Sequence, residues 1–88
     1  MHSYSVTFAR SARKELSKLP PHLASRIFDR ISALENNPRP QGVLKLQGSN
    51  SLWRIRIGDY RVVYEIDDKN KIADIVAIRH RRNVYRDY

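Results

Sequence analysis

Three arginines stand at alternating positions on either side of a dipeptide typical of tight turns. Arg54 and Arg56 precede Gly58-Asp59, and Arg61 follows it. A Gly-Asp pair between two runs of alternating polar and apolar residues predicts a β-hairpin with a two-residue loop. In that hairpin Arg56 lies directly across from Arg61, and like charges in this position destabilise an antiparallel pair. Because folding alone gives no reason for this pairing, the arginines indicate a polyanionic partner.

The residues that alternate with the arginines are apolar or aromatic, and residues two apart in a strand share a face. This predicted face consists of Trp53, Ile55, Ile57, Tyr60, Val62, Tyr64 and Ile66. We interpret it as the face that packs on the core, with its aromatic rings serving as core residues rather than as a stacking platform for bases. An ordinary solvated outer face is the alternative interpretation of the arginines.

The chain as a whole is short and basic. It has 88 residues, a net charge of +8 and a pI of about 10.3. The length predicts a single domain over residues 1–88, and the charge favours nucleic acid or an acidic protein as partner. The chain lacks cysteine and its three histidines lie far apart in sequence, so we expect no metal and no cofactor. We also expect a cytoplasmic protein with no membrane partner, since the sequence contains neither a long apolar run nor a signal-peptide pattern.

The spacing of apolar residues predicts the elements that carry these side chains. In chain order they are a strand over residues 4–8, a helix from Ser11, a second helix after Pro20-Pro21, a short strand over 43–46, the hairpin, and a strand over 72–78. The expected fold class is α+β: an N-terminal strand, a helical hairpin, and then an antiparallel four-stranded sheet with a short C-terminal helix. One face of this sheet packs on the helices, which leaves the arginines on the other.

Residues 45–48, 53–64 and 78–86 resemble the RelE toxin family, within the RelE/ParE superfamily of toxin–antitoxin toxins. Together with the order of elements, the resemblance spans nearly the whole chain. It implies a fold similar to that of compact microbial ribonucleases. It also implies a toxin that cuts messenger RNA in the ribosomal A site, whereas the ParE branch inhibits DNA gyrase. A non-toxic RNA-binding relative is a further alternative.

The resemblance also implies which side chains carry the activity. The catalytic set is Arg54, Arg56, Arg61, His80, Arg81 and Tyr85, and we add Lys45, Arg79 and Arg82 as RNA-binding residues. Well-studied RelE toxins carry lysines at the positions of Arg54 and Arg56. Since a guanidinium stays charged, these two arginines are suited to clamp phosphate and are poor general bases. His80 is assigned acid–base work because imidazole titrates near neutral pH; an exposed residue at a strand end is the alternative.

The implied chemistry is transphosphorylation, in which the RNA 2′-hydroxyl attacks the adjacent phosphate and expels the 5′-oxygen of the next nucleotide. Fixed cationic donors stabilise the charge that builds on the phosphorane oxygens, and we expect Arg61 and Arg81 to act there. Tyr85 is expected to position or stack a base, with a C-terminal packing anchor as the alternative. The expected partners are an acidic antitoxin and the ribosome with messenger RNA in its A site.

Overall fold

The computed structural model describes residues 3–48 and 51–80. Within these ranges the elements are β1 (Ser5–Phe8), α1 (Arg10–Ser17), α2 (Pro21–Ser32), a 3₁₀ turn (Ala33–Glu35), β2 (Leu44–Lys45), β3 (Leu52–Ile57), β4 (Tyr60–Asp67) and β5 (Ile72–His80). The predicted α+β class and the order of elements are confirmed. The predicted C-terminal helix falls on residues 81–88, outside the described residues. No helix in the described ranges has the length and apolar character needed to cross a membrane.

The strands form one sheet in the order β1-β5-β4-β3-β2. The four strands from β2 to β5 pair antiparallel, as predicted. The N-terminal strand β1 joins them as a fifth, parallel to β5, with Ser5 opposite Ile72 and Phe8 opposite Ile75. The sequence prediction assigned four strands to the sheet because alternation identifies a strand but not its partner.

The hairpin of β3 and β4 has the predicted register. Ile57 pairs with Tyr60 and Arg56 pairs with Arg61. The turn places Gly58 at a φ of +62°, in the left-handed region that glycine adopts without steric cost. The alternation along both strands therefore separates the arginines from the apolar side chains, as the sequence indicated.

The core lies between the two helices and one face of the sheet. Its buried residues are Ala12, Ile27, Ile31, Leu34, Ile55, Ile57, Val62, Tyr64, Ile66, Ala73, Ile75 and Ile78. Trp53 and Tyr60 pack against this cluster, so the interpretation of the aromatic rings as core residues is confirmed. Tyr64 is fully buried and donates its hydroxyl to the Pro38 carbonyl at 2.6 Å. Burial raises the pKa of Tyr64 to about 12.

Helix α1 runs along the edge of β5 beyond the point where β1 ends. Ser11 Oγ donates to the Val76 carbonyl at 3.3 Å, and Glu15 Oε1 accepts a hydrogen bond from the Ile78 amide at 3.0 Å. An unpaired strand edge is a template for unwanted association, and side chains from a covering helix are one way to occupy it. Side chains of α1 thereby reach the end of β5.

Candidate nucleic-acid interface

Three arginines form a row across the sheet on the face away from the helices. Arg56 on β3 lies opposite Arg61 on β4, and Arg61 lies opposite Arg79 on β5. Directly opposed residues of an antiparallel pair project from the same face of the sheet. We call Arg56, Arg61 and Arg79 the arginine row. The hairpin pattern predicted its first two members, and the pairing of β4 with β5 adds the third.

A β-bulge places Arg79 in this row. Val63 pairs with Ala77 while Tyr64 pairs with Ile75, so Val76 is an extra residue on β5. The extra residue reverses the alternation beyond it. Ile78 consequently faces the core together with Ile75, and Arg79 faces the outer side together with Arg61.

The three guanidinium groups have different environments. Arg56 is exposed, and its Nε donates to the Gly58 carbonyl at 3.0 Å. Arg79 is half-buried and forms an ion pair with Glu15. Arg61, between them, has its Nη1 atom buried with no hydrogen-bond partner in the part of the chain that the structure describes. An unsatisfied buried donor costs about 1–3 kcal/mol, and more when it is charged. Because this atom is closed to solvent, an oxygen of a bound anion can satisfy it only if the Arg61 side chain moves.

Arg54 lies in a second row beside the first. It pairs with Leu44 on one side and with Val63 on the other, and Val63 pairs with Ala77. Val63 and Ala77 are fully buried, and the side chains that pack against them are Leu46, Leu52 and Val76. This apolar floor lowers the local dielectric constant, and a lower dielectric strengthens the attraction of a guanidinium group for an anion.

Lys45 and His80 project from the other face of the sheet. Lys45 pairs with Trp53, and its Nζ lies 5.9 Å from the centroid of the Trp53 ring. His80 pairs with Tyr60, and the two rings meet edge to face with centroids 5.4 Å apart. The structure thus does not bring these two residues to the arginine row, because strand alternation and the β5 bulge direct them to the helix side. Their predicted roles in RNA binding and acid–base chemistry stay predictions.

A known protein family matches most of this chain. The family described as ParE toxin of type II toxin-antitoxin system, parDE, matches residues 6–85. This chain belongs to the RelE/ParE superfamily of toxins. The resemblance inferred from the sequence is therefore confirmed.

Relatives of this RelE/ParE chain share both its sequence and its fold. Toxin RelE of Mycobacterium tuberculosis is 35% identical over 86 residues, which cover 97% of this chain and 89% of that protein. Toxin RelG of the same organism is 31% identical over 84 residues, or 94% of this chain and 97% of the relative. The archaeal RelE–RelB complex from Pyrococcus horikoshii OT3 contains a chain that superposes with a TM-score of 0.80. That chain is 33% identical to this one, with coverage of 90% of this chain and 96% of the other.

The remaining predicted site residues, Arg81, Arg82 and Tyr85, lie outside the described residues. In the sequence they come after His80, the last described residue and the end of β5. Their predicted roles in this RelE/ParE chain, phosphate and RNA binding for the arginines and base positioning for Tyr85, stay predictions.

Arg39 forms a clamp on the helix side of this RelE/ParE fold that no sequence pattern predicted. Arg39 donates two hydrogen bonds to the Asp68 carboxylate, at 3.1 and 2.8 Å, and its guanidinium carbon lies 4.9 Å from the Trp53 ring centroid. The Tyr4 hydroxyl donates to the same carboxylate at 2.5 Å. Together these donors, Arg39 first, lower the pKa of Asp68 to about 2. The clamp joins the loop after α2 to the turn after β4, and it contributes no group to the arginine row.

Proposed function

We propose that this chain is the toxin of a toxin–antitoxin system and acts as a ribosome-dependent endoribonuclease that cuts messenger RNA and stops translation. The observation that carries the proposal is the arginine row, at whose centre Arg61 has a buried Nη1 with no hydrogen-bond partner among the described residues. A row of like charges with an unsatisfied donor is unfavourable for the isolated fold. Local conflicts of this kind are expected where function requires them.

The cationic groups of the arginine row are suited to stabilising a phosphorane. When the 2′-hydroxyl attacks, negative charge builds on the non-bridging phosphate oxygens, and donors held in place before the reaction stabilise that charge. A guanidinium fork donates two parallel hydrogen bonds to two such oxygens. In the proposed mechanism Arg61 and Arg56 hold the phosphate, and Arg54 extends the basic face along the RNA. Proton transfer requires another group, because arginine does not serve as a base. His80 stays the predicted candidate, and its ring contacts Tyr60 on the helix side of the sheet.

The proposed partner that silences the toxin is an acidic antitoxin. Solved structures that resemble this chain include toxin–antitoxin complexes named RelE–RelB from Pyrococcus horikoshii OT3 and RelBE2 from Mycobacterium tuberculosis. A net charge of +8 favours association with a segment of opposite charge. We expect the antitoxin to place such a segment over the arginine row or to displace the C-terminal segment around Tyr85. A bound antitoxin that is basic and touches neither region would contradict this.

The second candidate function is inhibition of DNA gyrase, which the ParE description of the matching family favours. Brief induction of the toxin in cells separates the two functions when translation and DNA supercoiling are measured in parallel. The ribonuclease predicts a collapse of translation with cut messages and unchanged supercoiling. Intact messages together with DNA damage signalling would contradict the ribonuclease and support the gyrase inhibitor.

A further inference from the structure

Glu15 on α1 contacts both the backbone and a side chain at the end of β5. Its Oε1 accepts the hydrogen bond from the Ile78 amide at 3.0 Å, and its Oε2 forms the ion pair with Arg79. The side chains of Arg79 and Glu15 are 24% and 27% exposed, so solvent screens this pair only partly. The carboxylate is thus fixed to the strand by one oxygen and holds a member of the arginine row by the other.

A second contact between α1 and β5 lies one helical turn before Glu15. Ser11 and Glu15 are four residues apart and therefore lie on one side of α1, where they bond the Val76 carbonyl and the Ile78 amide. Four helical residues rise about 6.0 Å, and two residues of a strand rise about 6.6 Å. The two contacts on α1 therefore have nearly the same spacing as their two partners on β5.

From this geometry, and on the basis of the proposed ribonuclease function, we infer that Glu15 is a positioning residue that acts through Arg79. Arg79 lies directly across from Arg61, and repulsion between the two guanidinium groups favours movement of Arg79 away from the row. Glu15 contacts Arg79 from the edge of β5 that faces away from β4, so the charge-assisted contact fixes Arg79 on that side of the row. Glu15 thereby sets where the third cationic group lies relative to the phosphate that Arg61 holds.

The alternative role for Glu15 is that of a cap on the β5 edge with no effect on the reaction. The variant Glu15→Gln separates the two roles, because a glutamine oxygen still accepts the hydrogen bond from the Ile78 amide while the charge that holds Arg79 is lost. The matched control is Asp29→Asn, which makes the same change of charge on the exposed side of α2.

The experiment measures single-turnover cleavage of messenger RNA on programmed ribosomes over a range of toxin concentrations. We expect Glu15→Gln to lower the maximal rate about ten- to a hundredfold, since small displacements of a catalytic array have effects of this size. The toxin concentration at half-maximal rate is expected to stay the same or fall, because the variant carries one more net positive charge. In an Arg79→Ala background Glu15→Gln should have no further effect on the rate. Asp29→Asn should cleave at the wild-type rate.

Two results overturn the inference while the proposed function stands. One is a wild-type maximal rate in Glu15→Gln, which would leave Glu15 as an edge cap. The other is an equal loss with and without Arg79, which would show that Glu15 does not act through it. If the wild-type toxin leaves all messages intact, the proposed function fails and the role of Glu15 fails with it.

Discussion

Replacement of Arg61 by methionine is expected to stabilise the fold and to abolish most of the activity. Arg61 lies between Arg56 and Arg79, and each like-charge cross-strand pair destabilises by about 0.2–1 kcal/mol. For the pair of Arg61 and Arg79 we expect the lower end of this energy range, because Glu15 partly neutralises the charge of Arg79. The buried Nη1 of Arg61, which has no hydrogen-bond partner within residues 3–48 and 51–80, adds about 1–3 kcal/mol. Methionine keeps an unbranched apolar stem, so we expect the free energy of unfolding to rise by about 1–4 kcal/mol.

The assay is thermal unfolding of the isolated toxin, with message cleavage on ribosomes measured on the same preparation. For a domain of this size 1 kcal/mol corresponds to about 4–8 °C, so the Tm of Arg61→Met should rise by at least about 4 °C. The cleavage rate should fall about a hundred- to a thousandfold, as expected when one preorganised cationic donor is lost.

The matched control for this prediction is Arg26→Met. Arg26 is an exposed arginine on α2, and its replacement should change neither the Tm nor the cleavage rate. A lower Tm for Arg61→Met would refute the reasoning, because it would show that the Arg61 guanidinium stabilises the fold in the absence of RNA.

Two further predictions concern single groups. Arg56→Thr should leave the free energy of unfolding unchanged or raise it by about 0.2–1 kcal/mol. The same variant should cleave messages about a hundred- to a thousandfold more slowly. If Arg56→Thr instead unfolds much more easily and its folded fraction cleaves normally, Arg56 has a structural role. The pKa of Asp68 is about 2, below its unfolded value of about 3.9. The stabilisation from its ionised form is therefore fully present above pH 4 or so and is lost as the pH falls towards about 2. Over that pH range the Tm of the wild type should fall more steeply than the Tm of Asp68→Asn. Parallel plots of Tm against pH for the two proteins would show that the clamp does not cause the loss of stability in acid.

The spacing of polar and apolar residues predicted some elements correctly. In these elements one local pattern determines both the type of secondary structure and which side chains face the core. The alternation around Gly58 fixed the hairpin register and put Arg56 across from Arg61, as the structure confirms. The second helix likewise buries Ile27 and Ile31, whose spacing of four residues puts them on one side of the helix. In these segments the side chains that pack are a few residues apart, so their spacing in the sequence carries the information.

The features that the sequence did not reveal depend on contacts between distant segments. The parallel pairing of β1 with β5 joins residues more than sixty positions apart, as with Ser5 and Ile72. The β5 bulge has no glycine or other local mark at Val76, yet it decides that Arg79 joins the row and that His80 faces Tyr60. The contact of Glu15 with Arg79 likewise follows from the packing of α1 on β5 rather than from any motif.

The measurement that tests the central claim most directly uses ribosomes programmed with a defined messenger RNA in the A site. Wild-type toxin is added, and the chemical groups at the new ends of the two fragments are identified. The same assay is run on a second message that carries a 2′-deoxy sugar at the cut position. The proposed mechanism predicts a 2′,3′-cyclic phosphate on the upstream fragment, a free 5′-hydroxyl on the downstream fragment, and survival of the deoxy message. An uncut normal message, a 5′-phosphate product, or cleavage of the deoxy message would contradict it.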